Sequence, residues 1–233
     1  MREILFQSIF DTPAQPQANL NAVGQTPDGR VWEYLYATEA ISQYMVVSAP
    51  ANLDVDTVSS AASSQDAAKY VYITEGSAGW TVGAYQDHWV VVDDGTGEGQ
   101  LGKIKDNTAD TLELYFDHAF TTALAVADSD IVVRHEPDAE KVAITVLVTP
   151  LKGVAQVAVA SADYAWYLKR GIGGVLCGEA ITINVAAGPG DDTEGTVEIC
   201  DTTQGLFDTA VVGRCLVAST TADKATLFDV NIM

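Results

Sequence analysis

The chain has 233 residues and carries 32 Asp and Glu against 12 Lys and Arg, a formal charge of −20. A field of that sign excludes nucleic acid or an anionic membrane as a partner held by general electrostatics, and 48% hydrophobic residues exclude wholesale disorder. No apolar run is long enough to span a bilayer. Gln7, Ser8 and Asp11 interrupt the first apolar residues too soon for a secretory leader, so a non-exported chain is expected.

In chain order, residues 1–23 read as an extended N-terminal arm. Ile4, Leu5, Phe6, Ile9 and Phe10 offer apolar side chains, and Pro13 and Pro16 then disfavour helix. Ordering such a segment costs roughly 1–2 kcal/mol per residue, and burying each of those five side chains returns about 1.5–3 kcal/mol. The two terms are comparable, so the arm is expected to order only where a groove on a neighbour receives it. The Pro27-Asp28-Gly29 turn leads into a strand over 31–36, with 44–48 as its expected partner. The Ala-containing stretch 61–68 is the one candidate for a short helix. Further strands are expected at 69–74, 89–92, 102–105, 111–116 and 130–135, where β-branched and aromatic residues recur.

From about residue 142 the composition shifts towards Val, Ala, Gly and Thr. Strands are expected at 141–148, 154–159, 164–168, 173–177, 180–185, 196–199, 210–217 and 224–232, with Gly-containing turns between several of them. Many short strands without periodic helices predict an all-β fold of barrel or sandwich type. The expected organisation is an extended N-terminal arm at 1–23 and two β-rich modules: a first β module at 24–140 and a C-terminal β-barrel-like module at 141–233.

Little in the chain carries chemistry. The loop Asp93-Asp94-Gly95-Thr96-Gly97-Glu98-Gly99 offers hard oxygen ligands, so Asp93, Asp94 and Glu98 form a possible calcium site, although the spacing is not that of an EF-hand. The bland alternative is a solvated hairpin. A second acidic Gly loop at 188–195 reads as a hairpin tip, and Gly171-Ile172-Gly173-Gly174 lacks the spacing of a dinucleotide fingerprint. Cys177, Cys200 and Cys215 are widely spaced, as expected of small buried hydrophobes. Trp80, Tyr85 and Trp89, with Trp32, Tyr34 and Tyr36, are either core or a carbohydrate platform. No nucleophile or zinc motif is present, so neither enzymatic activity, nor a cofactor, nor an obligatory metal is expected.

Five segments, in order from about residue 20 to the end, resemble structural proteins of tailed bacteriophages. Ala22–Trp32 (AVGQTPDGRVW) resembles an arm that leads into a "TxDGRVY"-like strand, and Trp89–Gly99 (WVVVDDGTGEG) is similar to an "LVVNDGTGEG" loop. Tyr164–Tyr167 (YAWY) resembles a "YYGWVQ" strand, Leu176–Ile181 (LCGEAI) an "LAAGDPV" step, and Val211–Ala218 (VVGRCLVA) a "VVGTALA" segment. Residues 49–68 have no counterpart, and Arg214 and Cys215 replace smaller residues. The resemblance implies a capsid decoration, or cement, protein. Such a protein is made in the host cytoplasm and carried on the virion's capsid surface, is usually a homotrimer, binds the major capsid protein and has no catalysis. Ile4, Leu5, Phe6, Ile9 and Phe10 would then contact the capsid or a neighbouring subunit. The alternative is a glycan- or receptor-binding β module of a head or tail fibre.

Overall fold

The computed structural model describes residues 8–50, 69–75, 79–126, 128–134, 138–140, 150–190, 193–200 and 211–232 with their side chains, and the backbone of 3–4, 53–55, 60–66 and 141. Among the described residues there is one short 3-10 turn and no α-helix. The chain forms two compact units, residues 1–50 with 137–233, and 51–136. This corrects the expected boundaries. The second unit is inserted in the first, and residues 24–50 belong with the C-terminal half because their strands pair with it.

The first unit opens with β1 (Glu3–Ile4), β2 (Val23–Gln25), β3 (Val31–Ala37) and β4 (Val46–Ser48). The inserted unit contains β5 (Leu53–Val55), β6 (Ser60–Asp66), β7 (Lys69–Thr74), β8 (Trp89–Asp94), β9 (Leu101–Asn107), β10 (Thr111–Leu114) and β11 (Asp130–Arg134). The first unit resumes with β12 (Asp138–Lys141), β13 (Leu151–Ala155), β14 (Tyr164–Cys177), β15 (Ala186–Pro189), β16 (Val197–Ile199), β17 (Gly213–Cys215) and β18 (Lys224–Asn231). Where a short helix is expected at 61–68, residues 61–66 instead belong to the strand β6, paired antiparallel with β7, and 67–68 lie outside the described residues.

β14 organises the first unit. Its first half pairs antiparallel with β3, from Tyr164 opposite Tyr36 to Arg170 opposite Val31. Its second half pairs with β18, from Arg170 opposite Asn231 to Cys177 opposite Lys224. Hydrogen bonding runs β3–β12–β4–β13–β14 and back to β3, and separately β14–β16–β15–β17–β18 and back to β14. Two closed rings of strands therefore share β14. The expected pairing of 31–36 with 44–48 does not occur, because β12 lies between β3 and β4.

Closure buries both faces of β3 and of the first half of β14. Trp32, Tyr34, Trp166 and Leu168 pack with Val175, Cys177, Phe228 and Val230. The alternate residues Leu35, Ala37, Ala165 and Tyr167 pack with Val47, Ala139 and Ala155. Buried Glu33 lies among these strands with Lys169 Nζ 2.7 Å and Lys152 Nζ 3.7 Å from its carboxylate. Between the rings, the Gln156 amide stands in for a missing strand, accepting from Gly174 N at 3.0 Å and donating to Gly174 O at 2.9 Å. A side chain at Gly174 would come within 2.5 Å of the Tyr44 ring, so only Gly admits that approach.

The arm lies on its own unit. Ile9 is buried in the larger core, with Ala18, Leu20 and Ala22 packed against it. Tyr164 N donates to Pro13 O and Gln17 N to the Tyr34 hydroxyl, each at 3.0 Å. The expectation of an arm ordered only by a neighbour is thus revised for Ile9, which this chain's own core receives. Phe10 is 56% exposed. Ile4 is described only as backbone, where β1 runs parallel to β2, and Leu5 and Phe6 lie outside the described residues.

Candidate functional site

The inserted unit is an open sheet in the order β5-β11-β8-β9-β10-β7-β6. Its strands alternate: Val71, Ile73, Val90, Val92, Ile104, Leu112, Ile131 and Val133 share one buried core. Intervening residues such as Trp89, Lys103, Lys105 and Glu113 face outward and are half-buried or exposed. This is the period of two that a half-solvated sheet requires.

The alternation breaks at the end of β10. The register with β9 shifts between Glu113 and Leu114, and the chain turns through a 3-10 segment, Phe116–His118. In phase, Phe116 would join Leu112 and Leu114 in the core; instead it is 46% exposed. Gly102 lets this turn lie close to β9, since a Cβ there would stand 2.8 Å from Leu114 Cδ1 and 3.3 Å from His118 O.

A cleft of about 520 Å³ opens at this turn, within the usual size range of small-ligand sites. Val71 and Leu114 give it an apolar floor; Lys103, Lys105, Glu113, Tyr115, Phe116 and His118 contribute most of its wall. Lys105 Nζ meets Glu113 Oε1 at 2.7 Å, and this carboxylate raises the lysine's pKa. Lys103 Nζ lies 2.9 Å from Asp87 Oδ1 and 5.5 Å from the centre of the Tyr115 ring. The Tyr115 hydroxyl donates to the same Asp87 oxygen at 3.3 Å. Burial first, and then the Asp87 charge, push this phenol's pKa up. The two lysine–carboxylate pairs are about a third to half exposed, so their contribution to stability is small. Their effect is to hold donors and acceptors in fixed places.

Asn107 supports the same wall. It is buried, its Oδ1 accepts from Tyr85 N at 2.9 Å, and its Nδ2 donates to Thr81 O and Thr108 O at 2.9 Å each. It thereby pins the 81–87 turn that delivers Asp87.

The acidic loop at 93–99 is a hairpin clasped from within the same unit. Thr96 N and Oγ1 both donate to Asp128 Oδ2, at 2.8 and 2.7 Å, which holds that carboxyl below its ordinary pKa. Ser129 Oγ donates to Thr96 O at 2.6 Å. Asp94 Oδ1 already accepts from Gly95 N at 2.8 Å. Among the described residues no group of three or more His, Cys, Asp or Glu is placed to hold a metal, so Asp93, Asp94 and Glu98 do not converge into a calcium site.

Of the aromatic residues that sequence offered as a platform, Trp32 and Tyr34 are core in the first unit, and Trp80 is core in the inserted unit, with Tyr85 edge-on to it. Trp89 meets His118 edge-on, with ring centres 5.7 Å apart. Tyr115 and Phe116, which line the cleft, were missed, because the strand-like alternation of 111–116 gives no sign of the 3-10 turn that begins at Phe116. Cys177 and Cys215 are buried, and burial pushes the Cys177 thiol up to about 11, so it is no nucleophile. No protein-family model, curated protein or solved structure matches the chain.

Proposed function

We propose that the chain is a structural virion protein that binds the outer surface of a phage capsid lattice, with the major capsid protein as its partner and a homotrimer as its form. The observation that carries this reading is the order of the five resembling segments together with where they fall. Four of them fall in the first unit, at β2–β3, the start of β14, the end of β14 with the turn after it, and β17; β3, β14 and β17 are members of the two strand rings. The fifth is β8 with its clasped loop. Ring closure also favours barrel-type over sandwich-type construction for the first unit.

Two surface features suit such a role. Ile172 of β14 and Leu227 of β18, two positions apart in the register of the pair, are 57% and 46% exposed, and apolar side chains of that size favour burial between subunits. Phe10 projects beside an anchored Ile9, where a capsid groove could receive it. The charge of −20 keeps a protein present in many copies soluble and away from packaged DNA.

The test is sedimentation of the purified chain with expanded heads assembled from the cognate major capsid protein but lacking decoration, followed by imaging of the decorated particles. Saturable binding in a fixed ratio to the lattice, with density on the outer surface, is expected. A chain that stays in the supernatant at all concentrations overturns the reading. Light scattering of the isolated chain should give three times the mass of the monomer.

A further inference from the structure

We propose that the cleft beside β9 and β10 is a saccharide-binding site, taking a neutral, polyhydroxylated ring; this inference does not depend on the capsid reading. Three observations converge on that class of ligand. First, both lysines already face a carboxylate, Lys105 with Glu113 at 2.7 Å and Lys103 with Asp87 at 2.9 Å. The wall is a set of matched donors and acceptors and not a positive field. A polyanion would meet the Glu113 and Asp117 carboxylates of the lining, with Asp87 already holding Lys103, on a chain of charge −20. A hydroxyl group is both donor and acceptor. Vicinal hydroxyls can therefore accept from an ammonium and donate to the carboxylate beside it, forming charge-assisted hydrogen bonds without breaking either ion pair.

Second, Phe116 stands 46% exposed at the cleft with Tyr115 next to it, held by a hydrogen-bonded turn in which His118 N donates to Tyr115 O at 2.9 Å. The C–H face of a pyranose is the complement of such an aromatic wall: apolar above and below the ring, polar around its rim. Third, the positions are fixed before any ligand arrives. Asp87 is set by Asn107 through the 81–87 turn, and Asp87 Oδ1 orients both Lys103 and Tyr115. Pre-set donors spare a ligand much of the cost of ordering its site.

The test is saturation-transfer NMR on the full chain with the methyl glycosides of glucose, galactose, mannose, N-acetylglucosamine and rhamnose, and with a heparin oligosaccharide as polyanion. Transfer to the ring C–H protons of at least one glycoside is expected, little changed by added salt because the ligand is uncharged. Phe116→Ala and Glu113→Gln should each weaken that binding by about tenfold or more, while Ile183→Ala, an exposed change in the other unit, should leave it intact. Melting curves establish that the variants are folded; if Phe116→Ala is not, Glu113→Gln decides. No transfer to any glycoside overturns the proposal. So does undiminished binding by folded cleft variants, or binding of heparin alone with steep loss in salt.

Discussion

The two units solve the same problem, sheet edges, in opposite ways. In the first, β14 closes two rings, and β3 and the first half of β14 bury both of their faces. In the inserted unit, among the described residues, no pairing joins β5 to β6, and β7–β11 keep one buried face and one wet one. Where the two rings meet, at β3 and the first half of β14, nearly every side chain is used for packing, whereas a half-solvated sheet leaves alternate positions available for surface chemistry. The cleft with its paired charges accordingly lies on the open unit, while the charges buried within the closed one, Glu33 with Lys152 and Lys169, serve packing.

The largest expected effects separate the two cores. Phe228→Ala should destabilise the first unit by about 3–5 kcal/mol, and Leu112→Ala the inserted unit by about 2–5 kcal/mol. Hydrogen exchange resolved by peptide should show each loss confined to its own unit; a uniform loss would mean that the units unfold as one. Glu33→Ala should cost a similar amount, about 3–5 kcal/mol, because it leaves two cations around a site built for their counter-charge. Urea denaturation checks this, and a change below about 1 kcal/mol would place the cluster in effective contact with water.

Smaller effects test the open unit. Asn107→Ala removes three hydrogen bonds from a buried position and should cost about 1–3 kcal/mol, with exchange of the 81–87 turn rising most. The smallest concerns Asp128, whose carboxyl the Thr96 donors hold below its ordinary pKa. Such a group contributes stability above its unfolded-state pKa and loses it as pH falls through the lower folded-state value. The Thr96 amide resonance should therefore move as pH drops below the ordinary carboxylate range, and Asp128→Asn should abolish that movement.

Much of the all-β pattern was legible in sequence. Residues 69–74 alternate so regularly that the expected strand coincides with β7. The expected strands at 164–168 and 173–177 are one continuous β14; Lys169 to Ile172 look like a break, yet Gly171 is carried through the sheet opposite Val230. The strand expected at 180–185 is displaced to β15, since Ile181 N instead bonds Ser219 O and Asn184 N bonds Cys215 O. The nesting of one unit within the other was not legible, because it depends on pairs such as Tyr36 with Tyr164 that no local pattern encodes. The cleft was missed for a related reason. Its ion pairs lie on adjacent strands, but the exposure of Phe116 follows from the 3-10 turn that ends β10.

That nesting has a consequence for synthesis. The inserted unit is continuous in sequence from 51 to 136, so all its strands emerge from the ribosome before β12 does. β3 must wait for β14, and the second ring cannot close until β18 has emerged. Domains generally fold as units during translation, and long-range strand pairing is slow. The order of events is therefore inside-out: the inserted sheet matures first, and its two ends then hold β4 and β12 near each other. A release-arrested nascent chain ending near residue 190 should protect the inserted unit from protease while leaving the first unit open to cleavage.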